Sequence, residues 1–339
     1  MKSNELGYTA RTLVTKGKGL LAADESLPTI QKRLAALNIE STEENRRAYR
    51  ELLLATPGIE EFISGVIMFD ETIRQRTGEG RPFIEVLNRK GIIPGIKVDK
   101  GTIAMPGFPG EKITSGHDNL RERLTDYRDR GARFTKWRAV ITIGPGMPSR
   151  GAVLANAHGL ALFAALSQEE GLVPVVEPEV LMDGDHDISR CEEATEATLA
   201  AVFSSLREYR VSFEGMLLKP NMVLSGKEAP RQAGIEEVAE ATIRCLKRTV
   251  PAVVPGIVFL SGGQTSEQAT EHLNAMNSMG PHPWEISFSF ARALQDIVLK
   301  TWRGSPANAA AAQREFYHRA MCNSAARYGR YSKKLEEAA

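Results

Sequence analysis

The chain has 339 residues, with 43 Lys and Arg against 42 Asp and Glu and a formal net charge of +1. That balance argues against nucleic acid or an anionic membrane as a partner, because any positive field must be local and suited to a small anion. Apolar residues at 42% and charged residues at 25% fit a globular chain with a core of normal depth. No window nears the ~20 apolar residues of a membrane span. The Met1–Glu5 start has no apolar signal segment, so a cytoplasmic location is expected.

A helical pattern over Asn4–Lys16 precedes the first of eight short apolar runs, Gly19–Asp24. Glu43–Ala55 reads as a helical insertion before the second run, Gly65–Asp70, and the third is Gly91–Asp99. Asp118–Arg130 places Leu120, Leu124 and Tyr127 at helical spacing with charges on the other face. The runs Phe134–Ile143, Leu172–Glu179, Phe213–Pro220, Gly256–Gly263 and Trp284–Phe290 follow. Helical patterns alternate with them at Gly151–Glu170, Ser189–Tyr209, Gly234–Arg248, Ser266–Ser278 and Ala291–Trp302. Ala307–Lys333 reads as one or two further helices. Strands alternating with helices predict α/β architecture with a parallel sheet, and eight of them predict closure into a (β/α)8 TIM barrel. The expectation is a single barrel domain over residues 1–339 with extra N-terminal and C-terminal helices. Its core spans about 19–303 and the C-terminal helical region about 304–339.

Ligand sites in such barrels lie at the carboxyl ends of the strands. Here those ends are charged: Asp24, Lys97-Val98-Asp99, Lys136-Trp137-Arg138, Glu177-Pro178-Glu179 and Lys219-Pro220-Asn221. Residues two apart on a strand share a face, so eight charged side chains from five strands converge on one end, four of each sign. Charges facing into a barrel are costly and stability does not require them, which favours a ligand site over a set of structural salt bridges. The seventh run ends Leu260-Ser261-Gly262-Gly263, and the eighth is followed by Ser289-Phe290-Ala291-Arg292. Loops at those two places often bind phosphate. Gly262 and Gly263 permit close backbone approach, while Ser261 and Arg292 offer a hydroxyl and a bidentate cation.

Other chemistries find little support. Cys191, Cys245 and Cys322 are too few and too widely spaced for a disulfide framework or a zinc motif. The six histidines are scattered. Asp183-Gly184-Asp185-His186-Asp187 reads as a turn and helix N-cap rather than a metal loop. No phosphate-binding glycine fingerprint or serine nucleophile elbow is present, so neither metal nor cofactor is expected. Lysine chemistry remains. A lysine amine attacks a carbonyl only when neutral, a state favoured by burial and neighbouring cations. Lys219 ends an apolar strand opposite Lys136 and Arg138, with Glu177 and Glu179 adjacent to move protons and Asp24 as a further carboxylate.

Leu21-Ala22-Ala23-Asp24-Glu25-Ser26, Gly95-Ile96-Lys97-Val98-Asp99-Lys100, Lys136-Trp137-Arg138, Val176-Glu177-Pro178-Glu179 and Leu217-Leu218-Lys219-Pro220-Asn221-Met222 resemble class I fructose-bisphosphate aldolase. So do Phe259-Leu260-Ser261-Gly262-Gly263-Gln264 and Asp183-Gly184-Asp185-His186-Asp187, in one register from about residue 4 to about residue 331. The resemblance implies a metal-independent lyase of glycolysis and gluconeogenesis. It reversibly cleaves fructose 1,6-bisphosphate to dihydroxyacetone phosphate and glyceraldehyde 3-phosphate, and it assembles as a homo-tetramer. By the resemblance, Lys219 matches the Schiff-base lysine, Glu177 the acid/base for imine formation, and Asp24 the carboxylate that deprotonates the hydroxyl at the cleaved bond. Lys136 and Glu179 match residues that position and polarise the substrate. Ser261, Gly262 and Arg292, with Gly263 and Ser289 beside them, fall at the site for one phosphate. Ser26, Thr29, Lys97 and Arg138 fall where the other end is held, and Lys32 and Arg33 at the rim.

The sequence departs from that pattern twice. Ala291 stands where the family commonly has glycine; its methyl group is expected to crowd the backbone approach beside the phosphate, while its amide can still donate. After Tyr331 the sequence runs Ser332–Ala339 with no tyrosine, where the animal enzymes carry a tail ending in one. A slower carbanion protonation or a substitute group is the expectation. Alternatives are another Schiff-base aldolase acting on fructose 1-phosphate or sedoheptulose 1,7-bisphosphate, a transaldolase, or a scaffold or cytoskeleton-binding protein on the same fold. Basic groups at both ends of the site favour a bisphosphate, and a pure scaffold has no need for Lys219, Glu177 and Asp24 together.

Overall fold

A parallel strand covered by helices on one side and by a barrel interior on the other is apolar on both faces, which is why its sequence reads as an unbroken apolar run. The computed structural model describes residues 2–337, with side chains from residue 4, and shows this pattern. The strands in chain order are β1 (Gly19–Ala23), β2 (Ile63–Met68), β3 (Ile93–Lys97), β4 (Thr102–Ala104), β5 (Lys112–Thr114), β6 (Phe134–Ile141), β7 (Val173–Val180), β8 (Leu217–Leu218), β9 (Gly256–Phe259) and β10 (Glu285–Phe290). Eight of them close a parallel barrel in the order β1-β10-β9-β8-β7-β6-β3-β2, as expected. The hairpin of β4 and β5 stands apart.

Period-two alternation divides the barrel into an inside and an outside. One apolar cluster gathers Leu20 and Ala22 of β1, Ile67, Phe134, Val173 and Val175, Leu217 and Val258. A second, larger cluster holds the outward-facing residues, including Trp137, Val176 and Leu218, against the surrounding helices. The helix Lys2–Leu13 closes the amino end, with Leu6, Ala10, Leu13 and Val14 joining the interior cluster. Close approach at that end requires glycine. A Cβ on Gly95 would stand 2.2 Å from the Phe134 ring, and one on Gly256 would stand 2.6 Å from Val14.

Side-chain caps fix several helices where the sequence places them. Ser149 Oγ accepts from Ala152 N, and Asp187 accepts from Arg190 N at 2.8 Å, so the Asp183–Asp187 run is a turn and N-cap as read. Thr265 and Gln268 form a reciprocal capping box.

The structure departs from the sequence reading at the sixth run and in several short elements. The sixth run keeps only two strand residues, because Phe213–Gly215 forms a 3-10 turn and Pro220 has no N–H to continue the ladder. Lys219 N still donates to Val176 O at 2.8 Å, so Lys219 remains tied to β7. The β4/β5 hairpin and the helices Leu27–Ala35, Asp70–Arg74 and Phe83–Arg89 were not anticipated. The C-terminal region contains the helices Ala309–Arg327 and Lys333–Glu336, and residues 338 and 339 lie outside the described residues. Among the described residues no helix is long and apolar enough to cross a membrane.

Candidate active site

The alternation that buries apolar side chains at the amino end of the barrel carries charges inward at the carboxyl end. On β7, Val173 and Val175 are followed on the same face by Glu177 and Glu179. On β6, Phe134 is followed by Lys136 and Arg138, and Leu217 is followed by Lys219. Lys136, Glu177 and Lys219 are each 3% exposed. Lys219 Nζ lies 3.1 Å from Glu177 Oε1, and Lys136 Nζ lies 3.2 Å from Glu177 Oε2 and 2.5 Å from Asp24 Oδ2. Two buried lysines therefore share one carboxylate, and the second lysine links it to Asp24.

Burial alone would raise the Asp24 carboxyl. Lys136, with Lys219 and Lys97 behind it, overcomes that and holds the carboxyl at about 2. For Lys136 burial works against the charge, yet Asp24, Glu177 and Asp99 raise it above the ordinary lysine value. Asp24 and Lys136 are thus a charged pair at neutral pH. Arg138 Nε donates to Glu179 Oε2, and Lys97 donates to the Asp99 carboxylate and, at 2.9 Å, to its carbonyl. Asn221 Oδ1 accepts from Val180 N at 2.9 Å and so fastens the segment after Lys219 to the end of β7.

These groups open onto a cleft of about 1340 Å³. It is lined by Asp24, Ser26, Thr29, Lys32, Arg33, Lys97, Lys136, Arg138, Glu177, Glu179, Lys219, Ser261, Gly262, Ser289 and Arg292, so nearly every residue singled out in the sequence meets in one place. Gly263, singled out with those fifteen, is the exception. Its φ of +79° turns the loop, and a Cβ there would meet Lys227 and Met182 rather than the cleft. The helix Arg292–Trp302 points its N-terminus at the cleft, beside Ser261 and the buried Ser289 hydroxyl, which has no protein partner among the described residues. Ala291 sits at that N-terminus with φ −104°, a conformation that does not require glycine. Arg33 is held by Glu25 and, at 2.9 Å, by Asp296, with Arg50 on the other oxygen of Glu25 at 2.6 Å.

Sequence reading overlooked part of the wall. Lys100, Arg123, Asp70, Arg74 and Tyr127 also line the cleft. Arg123 donates to Val98 O at 2.8 Å, bracing the turn after β3 from a helix face that reads as solvent-exposed. Its one sequence signal is its place on the helix that follows the charged Lys97–Asp99 end.

Charged groups from five strand ends and the Ser261–Gly262 loop beside the helix Arg292–Trp302 define the geometry of the cleft. The family model for fructose-bisphosphate aldolase class-I matches residues 5–339. The chain is 56% identical over 332 residues to a "Probable fructose-bisphosphate aldolase class 1" of Xanthomonas campestris, covering 98% of this chain and 99% of that protein. It is 53% identical to the cytosolic fructose-bisphosphate aldolase 6 of Arabidopsis thaliana, covering 97% and 92%. A solved fructose-bisphosphate aldolase structure from Plasmodium falciparum superposes with a TM-score of 0.97 at 48% identity, covering 98% and 96%. The chain belongs to the class I fructose-bisphosphate aldolase family.

Proposed function

We propose that the chain cleaves fructose 1,6-bisphosphate by an imine formed on Lys219. The observation that carries the reading is the buried carboxylate of Glu177 set between Lys219 and Lys136. The Lys219 amine adds to the ketose carbonyl, and Glu177 donates the proton with which the carbinolamine oxygen leaves as water. Asp24, ionised and at the same mouth, takes the proton of the hydroxyl on the carbon beyond the cleaved bond. The C–C bond electrons move to the iminium nitrogen, the aldehyde leaves, and an enamine remains on Lys219. Protonation of the enamine carbon and hydrolysis then release the ketone phosphate. Lys136 keeps Asp24 ionised and, with Glu179, orients the sugar hydroxyls.

Ser261, Gly262, Ser289, Arg292 and the N-terminus of the helix Arg292–Trp302 hold one phosphate. Ser26, Thr29, Lys97 and Arg138 hold the other, with Lys32 and Arg33 at the rim. Gly263 serves the turn rather than the anion. Cations at both ends of the cleft favour a bisphosphate over fructose 1-phosphate. A working unit of one domain over residues 1–339, a homo-tetrameric assembly and a cytosolic location belong to the same proposal. The Arabidopsis thaliana relative described as cytosolic supports the last of these. Sedimentation would test the assembly.

Incubating the protein with dihydroxyacetone phosphate and borohydride, EDTA present, and mapping the modified peptide tests the mechanism. A secondary-amine adduct on Lys219 is expected. An adduct elsewhere, no adduct, or cleavage lost in EDTA would overturn it.

A further inference from the structure

Outside the cleft, the C-terminal segment brings three different metal-binding side chains together. His318 and Cys322 are four residues apart on the helix Ala309–Arg327 and so share one face. Glu336, from the short helix Lys333–Glu336, folds back over them. Cys322 Sγ is 3.6 Å from His318 Nε2, His318 Nε2 is 3.7 Å from Glu336 Oε2, and one ligand atom from each residue lies within 4.8 Å of the other two. None of the three lines the aldol cleft.

We propose that His318, Cys322 and Glu336 form a three-ligand site for a thiophilic divalent cation, Zn²⁺ foremost, that clamps the Lys333–Glu336 segment onto the helix Ala309–Arg327. Ligand bonds of ~2.3 Å to sulfur and ~2.0–2.1 Å to nitrogen and oxygen make tetrahedral edges of about 3.5 Å for S···N and about 3.3 Å for N···O. The two separations already present are within a few tenths of an ångström of those edges, and Cys322 Sγ and the Glu336 carboxylate, within 4.8 Å of each other, would close to an edge of about 3.5 Å. The donor set mixes thiolate, imidazole and carboxylate, which favours zinc over magnesium or calcium.

The surroundings fit such a site. Tyr331 Oη donates to Glu336 Oε1 at 2.6 Å and Arg319 Nη1 donates to both Glu336 oxygens, to Oε2 at 2.5 Å, so the head group is held in place and Oε2 faces both Arg319 and His318. Outer partners of this kind orient a ligand. Cys322 is fully buried and His318 9% exposed, while Glu336 reaches solvent and leaves a side for a fourth, water ligand. On binding, the Cys322 S–H bond breaks, its proton passes to solvent, and the S–Zn bond forms, with no change of oxidation state. The site is structural and acts on the C-terminal segment, independent of the imine reading above.

Metal-free, full-length protein should take up one Co²⁺ per chain with a thiolate-to-cobalt charge-transfer band, and Zn²⁺ should abolish that band. Zn²⁺ should raise the melting temperature and slow amide exchange in residues 331–337. Cys322→Ser should lose the band and weaken Zn²⁺ at least about 100-fold, with cleavage activity retained as the check on folding. Glu336→Gln, near the surface, should weaken Zn²⁺ by at least about tenfold and is the second variant should Cys322→Ser not fold. Absence of a charge-transfer band in the native sequence, binding that survives both substitutions, or no change in exchange at residues 331–337 would overturn the proposal.

Discussion

Lys219 Nζ stands 3.1 Å from Glu177 Oε1, both buried and carried by neighbouring strands of the barrel. The separation is that of a proton-transfer pair. The Lys219 N to Val176 O hydrogen bond and the Asn221 bridge to Val180 N hold the two strand ends in register. Lys219 and Glu177, the proposed nucleophile and acid/base, are thus tied together by contacts between their own strand ends, and the first two predictions follow from that pair.

Lys219→Ala should lower kcat/KM by about 10⁴-fold or more, because no other group supplies the electron sink. Lys136 still pairs with Glu177 in the variant, so the far-ultraviolet circular dichroism should be unchanged. Residual cleavage within tenfold of the native protein would remove Lys219 from its role.

Glu177→Gln should slow imine formation by about 10²–10⁴-fold, the usual worth of a positioned acid/base. Rapid-quench borohydride trapping reads the step directly. KM should change little, since the amide keeps the shape of the carboxylate. Equal trapping rates in the two proteins would assign proton transfer to another group.

Asp24 is held at about 2 against an ordinary 3.8. A carboxyl depressed in the folded state contributes stability that is present above about pH 4 and lost as pH falls towards 2. Native melting temperatures should fall through that window, and Asp24→Asn should show a shallower fall along with loss of cleavage. Parallel melting curves against pH for the two proteins would contradict the Asp24–Lys136 pairing as a source of acid sensitivity.

Arg292→Ala and Arg138→Ala should each raise KM for fructose 1,6-bisphosphate about 10–100-fold, since each removes a charge-assisted contact to phosphate. For fructose 1-phosphate only one of the two substitutions should matter, because one end of that sugar carries no phosphate. Steady-state kinetics with both substrates decides this, and equal penalties on both would remove the two-ended assignment.

Ala291→Gly should change KM by less than about threefold, because Ala291 already has a φ that any residue adopts. Gly95→Ala should be far more damaging. Its Cβ would meet the Phe134 ring at 2.2 Å, and overpacking of that kind costs ~1–3 kcal/mol or more. Chemical denaturation of the two variants separates a site that tolerates a methyl group from one that does not.

The sequence alone determined the eight-strand barrel and most of the cleft. Buried strands are unbroken apolar runs, and alternation puts Lys97, Lys136, Glu177 and Lys219 on the inner face without knowledge of the neighbours. Tertiary structure decided what alternation cannot reach. Which carboxylate meets which lysine depends on stagger between strands, and that set Glu177 between Lys219 and Lys136 with Asp24 on Lys136. Gly263 carries the same turn signal as Gly262, yet only the fold shows that it faces Lys227 and Met182. Arg123 reaches the cleft wall from a helix read as solvent-facing, and the β4/β5 hairpin is too short to show a period. In the sequence the histidines read as scattered and Cys322 as an isolated thiol; Glu336 meets His318 and Cys322 only because the chain folds back after Tyr331. Local periodicity specifies which face a residue takes, whereas the partner across that face is a long-range property set by register and chain return.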